Sequence, residues 1–222
     1  IDIDRIASLE QAGCLFHNSY WRYILSEVKI MSLNQFKDSR KVEVVPHNPA
    51  WRFTFLEDSK QITLVMGENV VTIHHIGSTA IPNIYAKPII DCLIEVKDIA
   101  KVDEQNPAMA ALGYAAMGEF GIPDRRFFLK NSAAGKRTHH LHTFEAESPE
   151  IKRHLAFRDY TIAHPEVAQN YSELKRELAK TYPEDIQSYM NGKNGFIKEV
   201  EKKALEWQDL KIIDSDLPTL AN

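Results

Sequence analysis

VTIHHIGSTAIPNIYAKPIIDCLIEV, residues 71–96, decides the fold class of this chain. Two β-branched apolar runs flank a small-residue turn, which reads as a strand, a tight crossing and a second strand. Within IIDCLIEV, successive side chains point oppositely, so Ile90, Cys92, Ile94 and Val96 share one face and Asp91, Leu93 and Glu95 the other. Asp91 is thereby presented beside Gly77-Ser78-Thr79. Glycine permits crowded backbone, and consecutive N–H groups can form a nest for an anion. The stretch predicts a phosphate-binding and metal-binding site at this turn.

Working outward, 42–45 reads as a short extended segment before the Pro46-His47-Asn48-Pro49 turn, and 51–66 as a helix covering the sheet with Trp51, Phe55, Ile62 and Leu64. A second covering helix is predicted over 102–116, carrying Met109, Leu112 and Tyr114. Residues 125–130 and 138–144 then form a hairpin around a polar, Gly-containing connection at 131–136. In its returning strand His140 and His142 share a face. Ser148-Pro149 opens a helix to about 163, a second helix runs over 167–180, and a final helix begins near 186 or 196 and reaches 207. Gly192 and Gly195 weaken the early part of that last helix. The expected class is α/β or α+β, a mixed sheet flanked by helices with a C-terminal helical extension.

The 222 residues, 44% hydrophobic, suffice for one substantial core. Four regions are expected: an upstream extension at 1–30, a core at 31–147, a helical region at 148–210 packed on it, and a tail at 211–222. Met31 resembles a natural start, so 1–30 reads as a domain remnant, an alternative start or an appended segment. The net charge of −4 argues against generic attraction to long nucleic acid while leaving room for a local basic pocket. With no apolar run of membrane-spanning length and no secretion signal, a cytoplasmic protein is expected. Cys14 and Cys92 make no disulfide or zinc pattern, and Cys92 reads as a core residue.

A cleft carboxylate needs a charge partner, and for Asp91 a divalent metal bridging phosphates would supply one. Leu93 sits where an adjacent second acid would be convenient, and Glu95 lies too far along the strand. His140 and His142 offer imidazole ligands to complete a site with Asp91, although the same pair suits hydrogen bonding, phosphate recognition or packing. Lys87, Arg126, Arg158 and Lys175 are further phosphate contacts to weigh against surface exposure or structural ion pairs, with Asp159 orienting Arg158. His75 shares the parity of Gly77 and is preferred over His74 as a site residue.

HHIGSTAIPNIYAKPIIDCLIEV, RRFFLK, KRTHHLHTF and HLAFRDYTIAHPEVAQNYSELKRELA, in that order, resemble the GrpB-like (UPF0157) family of predicted nucleotidyltransferases over roughly residues 42–207. The resemblance implies a nucleotidyltransferase-like mixed sheet. In the broader nucleotidyltransferase pattern a Gly-Ser turn precedes metal-binding acids; Gly77-Ser78 and Asp91 match it, and Leu93 replaces the second acid. The resemblance also marks Lys87, Arg126, His140, His142 and Arg158 as site residues. Members occur beside dephospho-coenzyme A kinase domains, although no kinase phosphate loop is present here.

The leading expectation is metal-assisted nucleotidyl transfer from a nucleoside triphosphate to an unknown acceptor. A non-catalytic nucleotide-binding or regulatory module and a metal-dependent phosphohydrolase are the alternatives. In each, the partner is a small nucleotide or phosphorylated metabolite.

Overall fold

Strand β2 (Ile90–Val96) is largely buried on both faces because helices cover it from each side. This is a computed structural model that describes residues 41–216, with side chains through 211. The described residues fall within the unit Arg40–Asn222, so the readings of 1–30 and of Cys14 lie outside them. Around β2 are β1 (Val70–Ile76), β3 (Tyr114–Ala116), β4 (Arg126–Asn131) and β5 (Arg137–Glu145), in the order β1-β2-β5-β4-β3. The central pair, β2 and β5, is parallel and the other three pairs are antiparallel, making the sheet mixed.

One face is covered by α1 (Ala50–Met66), with α2 (Ala100–Glu104) and α3 (Asn106–Ala111) at its edge. Here Trp51, Phe55, Ile62 and Met66 pack on Ile90, Cys92, Ile94 and Val96, the face that alternation assigns to the core. Fully burying side chains of this size contributes about 1.5–3 kcal/mol each. The other face carries Leu93 in a cluster with Ile76, Phe144 and Ile151, under α4 (Pro149–Ala163). Helices α5 (Pro165–Thr181) and α6 (Ile186–Asp216) follow, giving the α/β architecture its C-terminal helical segment.

Several local expectations change. Leu64 is 77% exposed, and Met66 takes its place in the core. The helix predicted over 102–116 is two short helices followed by a strand. The chain leaves α3 through Gly113 at φ +85°, and Tyr114 becomes a buried β3 residue. Left-handed backbone there ends the helix without a Cβ penalty. The 42–45 segment makes a single bridge, Val45 to Ala86, rather than a strand. Helix α6 continues to Asp216, into the region read as a tail.

Gly192 has a different role from the weakening expected of it. A Cβ there would stand 2.4 Å from Leu178 Cδ2, so its absence lets α6 approach α5 closely. The contact brings the start of α6 over the end of the sheet where β2 and β5 begin.

Candidate functional site

Parallel pairing of β2 with β5 sets Asp91 opposite His140, so both side chains leave the same face side by side. His140 Nδ1–H donates to Asp91 Oδ1 at 3.0 Å, and Arg137 Nη1 donates to His140 Nε2 at 3.3 Å. Burial would raise the Asp91 pKa, but the hydrogen bond from His140 and the nearby charge of Lys87 outweigh it and hold the carboxyl below its ordinary range. The other carboxylate oxygen faces the turn. Gly77 has φ +68°, and a Cβ on it would lie 2.3 Å from Asp91 Oδ2. Glycine is required twice over, by the left-handed backbone and by the carboxylate against it.

Gly77, Ser78, Asp91 and His140 form one wall of a cavity of about 150 Å³; the opposite wall comes from Lys175 on α5 and from Tyr189 and Lys193 on α6, with Lys87 at the side. Lys175 is 1% exposed, and its Nζ has no hydrogen-bond partner, lying 4.2 Å from the Tyr171 ring centroid. Burial, reinforced by the charge of Lys193, pushes its pKa down to about 7. Lys193 is 8% exposed, with Nζ 4.8 Å from the Tyr189 ring, and burial and Lys87 lower its pKa to about 8. The Tyr189 hydroxyl is likewise buried without a partner. Three lysines thus face a cavity whose lining contains one carboxylate, Asp91. Such a cavity suits an anion with several acceptor oxygens, which would satisfy the orphaned ammonium and hydroxyl together.

Of the residues singled out in the sequence, Gly77, Ser78, Lys87, Asp91, His140 and Lys175 line this cavity. The others do not. His75 and Arg158 line a separate cavity of about 570 Å³ on the other side of the turn, with His47, Arg52 and Phe55. There His75 stacks on Phe55, with centroids 4.8 Å apart, and its Nε2–H donates to Thr79 Oγ1 at 3.0 Å. Burial pushes its pKa down to about 4, leaving it neutral. Arg158 donates to the His75 carbonyl at 3.1 Å and to Asp159 at 2.7 Å, bracing the strand that leads into Gly77. Although larger, this cavity has its one carboxylate, Asp159, already engaged by Arg158.

Arg126 forms a forked pair with Asp103 at 2.7 and 2.8 Å on the far side of the sheet. His142 lies 3.3 Å from Arg125 Nη1 and packs against Phe127 and His154; burial pushes its pKa down to about 3. Glu95 is taken up by His74 at 2.7 Å. Among the described residues no group of three or more His, Cys, Asp and Glu side chains is placed to hold a metal ion. Asp91 and His140 make a two-donor set already joined by a hydrogen bond, short of the three protein ligands usual for a catalytic zinc-type site. The residues present do not by themselves fit a protein-held metal centre.

Lys193 and Tyr189 were not singled out in the sequence. A partial signal was there in Gly192, three residues after Tyr189 on the same helix face, where α6 closes on α5.

Fold and site together define an α/β protein with a lysine-lined cavity between its sheet and its C-terminal helices. The family profile described as GrpB protein matches residues 41–203, and the chain belongs to this family. It is 45% identical over 179 residues to UPF0157 protein YqkA of Bacillus subtilis, an alignment covering 81% of this chain and 52% of YqkA. The chain therefore spans about half the length of that relative. It is 35% identical to glutamate-rich protein GrpB of Alkalihalophilus pseudofirmus, covering 72% of this chain and 94% of that one. The crystal structure of conserved protein GrpB from Enterococcus faecalis superposes with a TM-score of 0.72 at 42% identity, covering 75% of this chain and 99% of that one. Among the described residues no helix is long and apolar enough to cross a membrane.

Proposed function

We propose that this protein binds the phosphate chain of a nucleotide or other phosphorylated metabolite in the lysine-lined cavity, on a nucleotidyltransferase-like scaffold. One observation carries the reading: Lys175 is almost wholly buried, has no hydrogen-bond partner, and faces a cavity with two further lysines. A lone buried ammonium costs folding free energy. A bound phosphate would offset that cost, its oxygens accepting from Lys175, Lys87 and the Tyr189 hydroxyl while the Gly77-Ser78 backbone closes the turn side.

Nucleotidyl transfer is the second reading, favoured by the direct contact of the turn with Asp91. An acceptor oxygen would bond to the α-phosphorus as the bond to the departing pyrophosphate breaks. Its proton would pass to Asp91, because Arg137 already occupies His140 Nε2. Binding is the leading reading because the place for a second acid is held by Leu93, sealed with Ile76 and Phe144 beneath α4. Hydrolysis would place water where the acceptor stands, and product analysis separates it from transfer.

The test is calorimetric titration with ADP and with inorganic pyrophosphate, in chelator. Saturable binding that persists in chelator and weakens at least about tenfold in Lys175→Met, with the variant's thermal midpoint raised, supports the reading. Absence of saturable binding, or unchanged affinity in the variant, refutes it. Pyrophosphate release in an acceptor screen would promote transfer over binding.

A further inference from the structure

At about 150 Å³ the lysine cavity is smaller than the roughly 300–1,000 Å³ of pockets that enclose a whole small molecule. It holds the end of a ligand, and the rest must lie in adjoining space. A groove of about 360 Å³ shares Lys87 and Ile89 with the cavity and continues it toward the β4–β5 hairpin connection. Its floor includes Pro88 and Ile186, and its charged lining is Lys41, Lys87, Lys136 and Arg137 against one carboxylate, Glu43. Glu43 is engaged by Lys136 in an ion pair whose two side chains are about half exposed. Exposed pairs of this kind are weak and yield readily to a competing anion.

We propose that the ligand is a nucleotide phosphorylated at both ends, one phosphoryl group entering the lysine cavity and a second lying against Lys136 and Arg137. The assignment rests on the phosphate-binding reading above and adds to it the class of molecule. The groove's apolar floor suits the nucleoside between the two charges. Lys136 at its far end, held by an exposed pair with Glu43, is redundant for a ligand charged at one end only. Lys136 and Glu43 then act as a gate of opposed charges, with the second phosphoryl group displacing the carboxylate from the lysine.

Titration with adenosine 3′,5′-bisphosphate and with adenosine 5′-monophosphate, in chelator, tests it. The bisphosphate is expected to bind at least about tenfold more tightly. Lys136→Ala should erase most of that advantage while leaving the monophosphate unchanged, and Glu43→Gln should tighten the bisphosphate alone. Equal affinities in the wild type overturn the two-ended ligand while monophosphate binding that is lost in Lys175→Met keeps the phosphate reading. If neither nucleotide binds, both fall. A short single-stranded oligonucleotide that binds more tightly than the bisphosphate would also overturn it, in favour of a longer phosphodiester.

Discussion

Lys130 and Lys175 are two lysines drawn into the same folded unit and treated in opposite ways. On the α1 side of the sheet, Lys130 donates to Asp58 at 2.8 Å, and His139 Nε2 lies 2.8 Å from the other oxygen of that carboxylate. Burial would raise the Asp58 pKa, yet His139 and Lys130 together bring it down to about 2. On the opposite side, Lys175 has no carboxylate and no acceptor, and burial drives its own pKa down instead. The protein can neutralise even a half-buried lysine, since it does so at Asp58. Under the phosphate-binding reading proposed above, the partner that the protein withholds from Lys175 is supplied by the ligand.

The contrast is open to direct attack. The largest effect is expected from Asp58→Ala, which strands Lys130 and His139 and should destabilise the fold by about 3–5 kcal/mol in chemical denaturation. Because the folded pKa of Asp58 is depressed, its contribution is fully present above the unfolded value of 3.8 and fades as pH falls toward about 2. Acid unfolding of the wild type but not of the variant should show this window. A loss below about 1 kcal/mol would show that the pairing is not structural.

Lys175→Met should move stability the other way, by about 3 kcal/mol upward near neutral pH, since it removes an amine whose pKa burial holds at about 7, against an ordinary 10.5. Between about pH 7 and 10.5 the unfolded chain holds a proton that folded Lys175 does not, so wild-type stability rises with pH across that window. The variant should lose that part of the rise. A destabilised Lys175→Met would erase the difference between the two lysines.

Gly77→Ala tests the turn. Positive φ alone costs about 1–3 kcal/mol for a residue with a side chain, and the collision with Asp91 Oδ2 adds to it. Loss of phosphate binding with the fold retained is the expected result, read from titration and circular dichroism. Next in size is a proton count. At pH 8, phosphate entering the cavity should draw about one proton onto Lys175 and Lys193, visible as buffer-dependent binding heat. Smallest of all, Arg126→Ala should cost under about 1 kcal/mol and leave binding unchanged, because its partner Asp103 is exposed and the pair lies away from the cavity.

How far a residue's place was legible depended on whether local periodicity or distant packing set it. Strand parity was enough to put Asp91 at the turn and His140 beside His142 on one face, because side-chain direction in a strand is a local property. It was not enough to say which histidine would meet Asp91. That followed from the parallel register of β2 with β5, two strands separated by the whole 97–136 crossover. The same parity argument gave His75 the facing of Gly77, but antiparallel pairing sets His75 opposite Cys92, on the α1 face of the sheet and away from Asp91. Thr79 captures His75, which lines the other cavity. Arg126 read as a phosphate ligand equally well until Asp103, on a helix remote in sequence, claimed it.

By itself the sequence determined a mixed sheet flanked by helices, a glycine turn against an aspartate, and the family to which the chain belongs. These rest on side-chain alternation, on φ preferences and on ordered motifs, all carried by neighbouring residues. Only the tertiary structure decided that Lys175 and Lys193, from helices far along the chain, would close over that turn. Burial and the absence of a counter-charge arise from the packing of α5 on α6, which no run of neighbouring residues encodes.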